Sequence, residues 1–470
     1  MTARAAADAP EDRIGARRVL AIALPVVVSN ATVPIQGAVD TAVIGNLGSD
    51  VYLAAVGLGA QVFSLLFGVF NFLQIGTSGL SAQALGATDH GRVLHTLARA
   101  LLIALAIAAL LILGREALAA GAMRLFEASA EAEGLARVYF DIRILGAPAE
   151  LANYALLGWF AGQEMTRRLF QHQIVLAVAN IGLNLLFVPG LGMDVDGVAL
   201  GTALASYLGL GYGVWLVWGR ARAIAPPGWR PRAARILQPD ELLRLMAMSR
   251  DIFIRTLLLI GAFAWMTRLG STLGDATLAA NVVLWQFFEV SAYALDGFAI
   301  AAETLVGQAM GAGSAARLRR AAVATSLWSG LLSLAVSAVF VLASGAVIDL
   351  LTTAPEVRAL ARDYALWAAL VPAVGFAAFQ LDGIFVGATG AREMRDAMVW
   401  AAAVYFPAAW LMTLAFGNHG VWAGVHLFLA LRAATLLRLY PRLEARAARS
   451  MTAAEDARDA DAGLGAHHTL

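Results

Sequence analysis

Apolar residues in this chain run in long blocks, in place of the alternation of a half-buried strand or the narrow stripe of a surface helix. Charges, glycines and prolines separate the blocks. They predict helices over 17–45, 52–82, 94–114, 135–161, 169–189 and 196–218, then over 242–270, 277–308, 318–344, 357–387, 396–416 and 420–440. About 20 mostly apolar residues cross a bilayer, so each block can cross once. The first, second and eighth exceed one crossing, which predicts tilt, kinks or extension into water. The expected fold class is an all-α integral membrane protein of twelve transmembrane helices.

Composition strengthens this reading and excludes others. Of 470 residues, 60% are hydrophobic and 14% charged, far from the balance of a soluble domain. Twelve crossings leave no length for a fused catalytic module. With no cysteine, disulfides, thiolate metal sites and cysteine nucleophiles are excluded together. The chain carries no phosphate-binding Gly-Lys loop, no HExxH and no GxSxG. Neither an enzyme, a resident cofactor nor a metal site is expected, and His467 and His468 look incidental. The first block is too long for a signal-peptide core and lacks a clear cleavage site, so it is expected to stay as a helix.

The net charge of +1 says little; its placement says more. There is no lysine, and arginines gather in alternate loops: Arg13, Arg17 and Arg18 before the first block, Arg92 and Arg99 after the second, Arg167 and Arg168 after the fourth. Arg220, Arg222, Arg230, Arg232 and Arg235 follow the sixth, Arg317, Arg319 and Arg320 the eighth, Arg392 and Arg395 the tenth. The opposite loops hold Asp50, Asp194 and Asp196, with Arg115, Arg124 and Arg137 as exceptions. Arginine excess marks the cytoplasmic side, so both termini are expected there, with the protein in the inner (plasma) membrane. The segment 1–16 reads as a polar cytoplasmic tail, and 441–470, charged, Ala-rich and aperiodic, as a disordered one.

The stretch 219–241, with Pro226, Pro227, Pro231 and Pro239, is the one long polar linker between blocks. It divides the chain into an N-lobe, 17–218, and a C-lobe, 242–440. "AQALGA" at 82–87 matches "GQAMGA" at 307–312, and "GWFAG" at 158–162 matches "GIFVG" at 383–387, both at an offset of 225. "GVALG" at 197–201 matches "GVWAG" at 420–424 at 223. A duplicated six-helix unit explains the ordered matches. Units of six spans enter the membrane from the same side, which relates the lobes by a pseudo-twofold axis along the membrane normal and leaves a cleft between them, a recurrent transporter plan.

Ionisable groups inside a bilayer are costly and mark functional sites. Asp40 is the only charge between Val19 and Leu47 and follows Pro25 and Pro34. Burial favours the neutral form of a carboxyl, so Asp40 is a candidate proton carrier. In the C-lobe Asp382 lies in the tenth block and Asp296 in the eighth, with Glu289 and Glu303 seven residues to either side. An acidic, cation-attracting cleft is one reading of these four; structural ties to Arg255, Arg268 or polar backbone are the other. By the 225 offset neither Asp40 nor Asp382 is duplicated, which favours special roles for both. Tyr139, Asn180, Asn184 and Thr202 add polar positions in the N-lobe, where helix-to-helix hydrogen bonding is the plain alternative. Phe63, Phe67, Phe70, Trp285 and Phe288 read as packing or as a binding wall.

"VDTAVIGNLG" at 39–48, the "AQALGA" and "GQAMGA" pair, "LDGIFVGAT" at 381–389 and "DGFAIAAETLVGQAMGAG" at 296–313 resemble the MATE multidrug and toxin extrusion transporters, in particular the DinF-like branch. The resemblance spans Val19 to Tyr440. It implies two six-helix lobes around a V-shaped cleft and export driven by protons or sodium. It makes Asp40 the coupling-ion residue, with Tyr139, Asn180 and Thr202 around it and Pro25 as the point where the first helix bends. Asn184 stands where sodium-binding members carry a second carboxylate, which favours the proton.

The expected function is a proton-coupled antiporter exporting amphipathic, cationic compounds. Its partners are small-molecule substrates and membrane lipid, with no nucleic acid, and a monomer is expected. Sodium coupling or organic-anion export within the same family are alternatives. A lipid-linked precursor flippase would need a cationic cleft to grip pyrophosphate, and an embedded enzyme or receptor would leave the duplicated plan without a purpose.

Overall fold

The computed structural model describes residues 14–45, 50–125, 129–227, 229 and 232–466, and among these every element is helical. The helices are α1 (Ala16–Asn30), α2 (Thr32–Gly45), α3 (Asp50–Gly68), α4 (Phe72–Gly86), α5 (His90–Leu113), α6 (Arg115–Leu125), α7 (Ala130–Arg143), α8 (Ala147–Gly162) and α9 (Thr166–Leu185). After these come α10 (Val195–Ile224), α11 (Ala233–Ile236), α12 (Pro239–Ser271), α13 (Asp275–Gly311), α14 (Ala315–Leu351), α15 (Pro355–Gly387), α16 (Ala391–Phe416) and α17 (Asn418–Ala466). Eleven helical runs among the described residues are long and apolar enough to cross a membrane. Residues 1–13 of the expected 1–16 tail, and His467 and His468, lie outside the described residues.

Most departures from the predicted blocks have local causes. The block 135–161 is split into α7 and α8 by a 3-10 turn at Ile144–Gly146. Pro148 stands in the first turn of α8, where it has no N–H to bond back to Ile144, and the ladder tightens. The first block breaks at Ala31, between α1 and α2, and not at Pro25, through which α1 runs on. Restarting at Thr32 puts Pro34 in a first turn, where its missing N–H costs no helical bond. The helix α6 was not predicted; Glu116 in its first turn and Arg124 in its last suit the helix dipole.

The linker is filled in by helix, and the expected disorder of the tail is corrected. The linker 219–241 is largely helical, with α10 reaching Ile224, α11 inside it and α12 starting at Pro239. The tail expected to be disordered from 441 continues α17 to Ala466. Its Ala, Arg and Glu content suits a helix. Leu443 and Ala447 are also buried, and Glu444 and Arg446 pair with Arg319 and Glu393.

The chain divides into two compact units. One comprises the described residues up to Val27, Ala82–Thr88 and the chain from Ala247 on; the other comprises Val28–Ser81 and Asp89–Met246. In the first, Phe287, Tyr405, Trp422 and Phe428 fill a core whose polar atoms are all engaged: Trp422 Nε1 donates to Asn281 Oδ1 at 2.9 Å and Tyr405 Oη to the Ala262 carbonyl at 3.1 Å.

Within each unit, glycines let helices touch backbone to backbone. A methyl on Gly158 would come closer than 3.0 Å to the carbonyl of Gln74, and one on Gly383 would meet the carbonyl of Ala299 in the same way. Gly158 and Gly383, like Gln74 and Ala299, lie 225 residues apart. Inside the first unit Gly86 abuts the Gln308 carbonyl and Gly311 the Gln83 carbonyl, a reciprocal contact at the same offset. The left-handed residues repeat it too: Thr88 with Gly313, at φ of 56° and 66°, and Glu164 with Thr389, at 56° and 53°. Gly158→Ala is expected to destabilise the protein by about 1–3 kcal/mol through overpacking. Gly211→Ala, at an open helical position, should be neutral or stabilising. Equal melting temperatures in detergent for the two variants would refute the crossing.

Candidate functional site

In the unit built on Val28–Ser81 and Asp89–Met246, α2, α9 and α10 bring the predicted N-lobe residues together. Asn180 and Asn184 sit one turn apart on α9, so both amides emerge on one face. Asn184 Nδ2 donates to Asp40 Oδ1 at 2.7 Å, and Asn180 Nδ2 donates to Thr202 Oγ1 at 3.1 Å. Asp40 thus takes its hydrogen bond from Asn184, whereas Asn180 and Thr202 bond to each other. Gly201 permits the arrangement, because a methyl there would strike Asn184 Oδ1. The amide oxygens of Asn180 and Asn184 are buried with no hydrogen-bond partner, which leaves two neutral acceptor oxygens unused in this network.

Tyr139 is buried on α7, with Gly59 making room for its ring. Tyr139 and Arg143 are both electrostatic neighbours of Asp40. Arg143, Glu150 and Ser206 were not anticipated. Arg143 Nη2 donates to Glu150 Oε2 at 3.2 Å, Ser206 Oγ donates to the same oxygen at 2.7 Å, and Ser206 also reaches the Thr202 carbonyl. The Arg143 guanidinium lies over the rings of Phe63 and Phe67, at 5.5 and 5.1 Å, so two members of the predicted aromatic stripe enclose a cation. Arg143 and Glu150 stand seven apart in the fourth block, but Arg137 and Asp141 lie close to Arg143, so neither carries the lone-charge signal that marks Asp40.

In the other unit the acids do not form one surface. Asp382, read as a source of negative potential, receives Nη2 of Arg432 at 2.6 Å and Nη2 of Arg255 on the same oxygen. All three side chains are largely buried, with side-chain exposures of 13%, 3% and 11%. One carboxylate between two guanidiniums leaves the cluster with an excess positive charge, so the assignment of Asp382 to an acidic cleft is withdrawn. Glu289 is half-buried and accepts from Trp285 Nε1 at 3.1 Å, Asp296 is exposed, and Glu303 is buried where α13 crosses α15. Seven-residue spacing aligns these three along α13, but the neighbours along this 37-residue helix change and burial changes with them.

Buried polar groups joined across apolar helices, on a chain of membrane-length helices, define an integral membrane protein. The chain belongs to the MATE family of transporters: the MatE family profile matches residues 25–186 and 252–411. It is a transporter and not an enzyme. The two matched stretches end at 186 and 411, again 225 apart. The chain is 40% identical over 422 residues to the DNA damage-inducible protein F of Escherichia coli K12, covering 90% of this chain and 91% of that one. It is 28% identical over 400 residues to the probable multidrug resistance protein NorM of Bradyrhizobium diazoefficiens, with coverage of 82% and 84%. Its fold resembles the crystal structure of MATE in the bent conformation, with a TM-score of 0.82 over 92% of this chain and 96% of that one at 20% identity.

Proposed function

We propose that this protein is a secondary active antiporter of the inner membrane that exports amphipathic, cationic drugs or metabolites in exchange for protons. The twelfth crossing is the α7 and α8 pair, the two six-helix repeats are the product of duplication, and both termini face the cytoplasm. The recurrence of crossings and left-handed residues at 225 supports the repeats, and arginine placement supports the orientation.

The Asp40–Asn184 hydrogen bond carries the coupling assignment. An ionised Asp40 accepts from Asn184 and holds α2 against α9. A protonated Asp40 needs that donor less, and the break at Ala31 lets α2 shift relative to α1 and repack on α9. Proton uptake from outside then favours substrate release, and proton loss to the cytoplasm restores the substrate-accepting state. Glu289, Asp296 and Glu303 remain the acids proposed to favour cations, without Asp382.

Sodium is the second reading, favoured by the partnerless oxygens of Asn180 and Asn184. Efflux from proteoliposomes under separately imposed gradients tests both. A proton gradient alone should drive export of a fluorescent cationic substrate; export that needs sodium and ignores pH would reverse the assignment.

A further inference from the structure

Away from the Asp40 network, the start of α5 lines a cavity of about 550 Å³ with Pro226, Pro227, Trp229 and residues of 232–241. Both walls belong to the same unit. Four arginines line it, Arg92 and Arg99 from α5 and Arg232 and Arg235 from the facing wall, against the carboxylates of Asp89 and Glu241. Asp89 is engaged in capping α5, accepting from the Arg92 backbone N–H at 2.8 Å. Glu241 is shared between Arg92 and Arg99 at 3.5 Å to each. Among the described residues neither Arg232 nor Arg235 has a carboxylate within ion-pair distance, and both are exposed.

The remaining polar atoms point the same way. Trp229 Nε1, a donor that cannot accept, is buried without a hydrogen-bond partner, and so is Nε2 of His95. The two rings lie 5.5 Å apart at the cavity wall. Arg99 is a different case. It is buried and holds the carbonyls of Arg235 and Ile236 at 2.7 and 3.2 Å, which fixes the facing wall on α5. A cavity with two positive charges in excess and an idle indole donor is built to receive an anion, and its volume exceeds that of a bare inorganic ion.

We propose that this cavity binds the phosphate group of an organic phosphate, gripped by Arg232 and Arg235 with Trp229 Nε1 as a further donor. Arginine suits the role because its planar fork meets phosphate oxygens two at a time. The phosphate can belong to a soluble phosphomonoester, with three terminal oxygens, or to the phosphodiester of an anionic lipid headgroup, with two, and either offers a guanidinium fork a pair of oxygens. The ligand would tie residues 232–241 to α5.

The test uses the full-length protein, without any transport assay. Adenosine 5′-monophosphate and inorganic phosphate are titrated by calorimetry in detergent, and lipid is extracted from protein reconstituted in phosphatidylcholine with or without phosphatidylglycerol. Saturable binding of adenosine 5′-monophosphate identifies the soluble source; retained phosphatidylglycerol identifies the lipid. In either case Arg232→Gln with Arg235→Gln should weaken binding about tenfold or more, the loss expected for charge-assisted hydrogen bonds. Trp229→Phe should weaken it several-fold while preserving the ring. No saturable binding of any probe, or binding unchanged in the double arginine variant at an unaltered melting temperature, would overturn the proposal.

Discussion

Asp40→Asn is expected to reduce efflux driven by a proton gradient to background while leaving insertion and folding intact. The amide fills the same volume and can still hydrogen-bond Asn184, so the α2 contact with α9 survives in the form that a protonated carboxyl would make. Only the exchangeable charge is lost. If proton and substrate favour different conformations, each lowers the other's affinity by the same factor, typically on the order of tenfold or more. The wild-type protein should then bind substrate more tightly as pH rises and Asp40 ionises. The variant should show the low-pH affinity at every pH. Efflux from proteoliposomes and substrate titrations across pH read the two effects separately. Wild-type efflux under a proton gradient alone, or an undiminished pH dependence of affinity, would remove Asp40 from the coupling role.

The second large effect is on stability. Asp382→Asn is expected to cost about 3–5 kcal/mol, the usual consequence of stranding buried charge when one partner of an ion pair is removed. Here two guanidiniums lose their common carboxylate, and Arg432 is the more enclosed of them. Thermal unfolding in detergent should show a large drop in melting temperature, and residual transport should fall equally for cationic and neutral substrates. A variant of unchanged stability that discriminates against cations would return Asp382 to the substrate path. Arg255→Gln should be milder than Asp382→Asn, since Arg432 then keeps its carboxylate.

Helix placement was legible because a bilayer imposes a one-dimensional rule: a crossing must be long, apolar and internally hydrogen-bonded. The same rule exposed Asp40 as a lone charge, whereas Arg143 stands among Arg137 and Asp141 and carries no such mark. The 225-residue recurrence of motifs was legible because close helix crossings leave little freedom of residue choice: Gly158 meets the Gln74 carbonyl and Gly383 the Ala299 carbonyl at the same interval. Pro148 marked the break between α7 and α8 in the same local way.

Pairings were not legible. Asp382 meets Arg255, 127 residues earlier, and Arg432, 50 later; no local pattern records which helices adjoin or how each is rotated. The meaning of a charge inside a membrane depends on what faces it, and so an acid read as a source of negative potential proved to be enclosed by a cationic pair. Asn184 is the complementary case. The family resemblance placed it near Asp40, but only the folded arrangement of α2, α9 and α10, with Gly201 leaving room for its amide, shows that Asn184 and not Asn180 holds the carboxylate. Hydrogen bonds act over about 3 Å, and it takes the folded arrangement of three helices to settle positions on that scale.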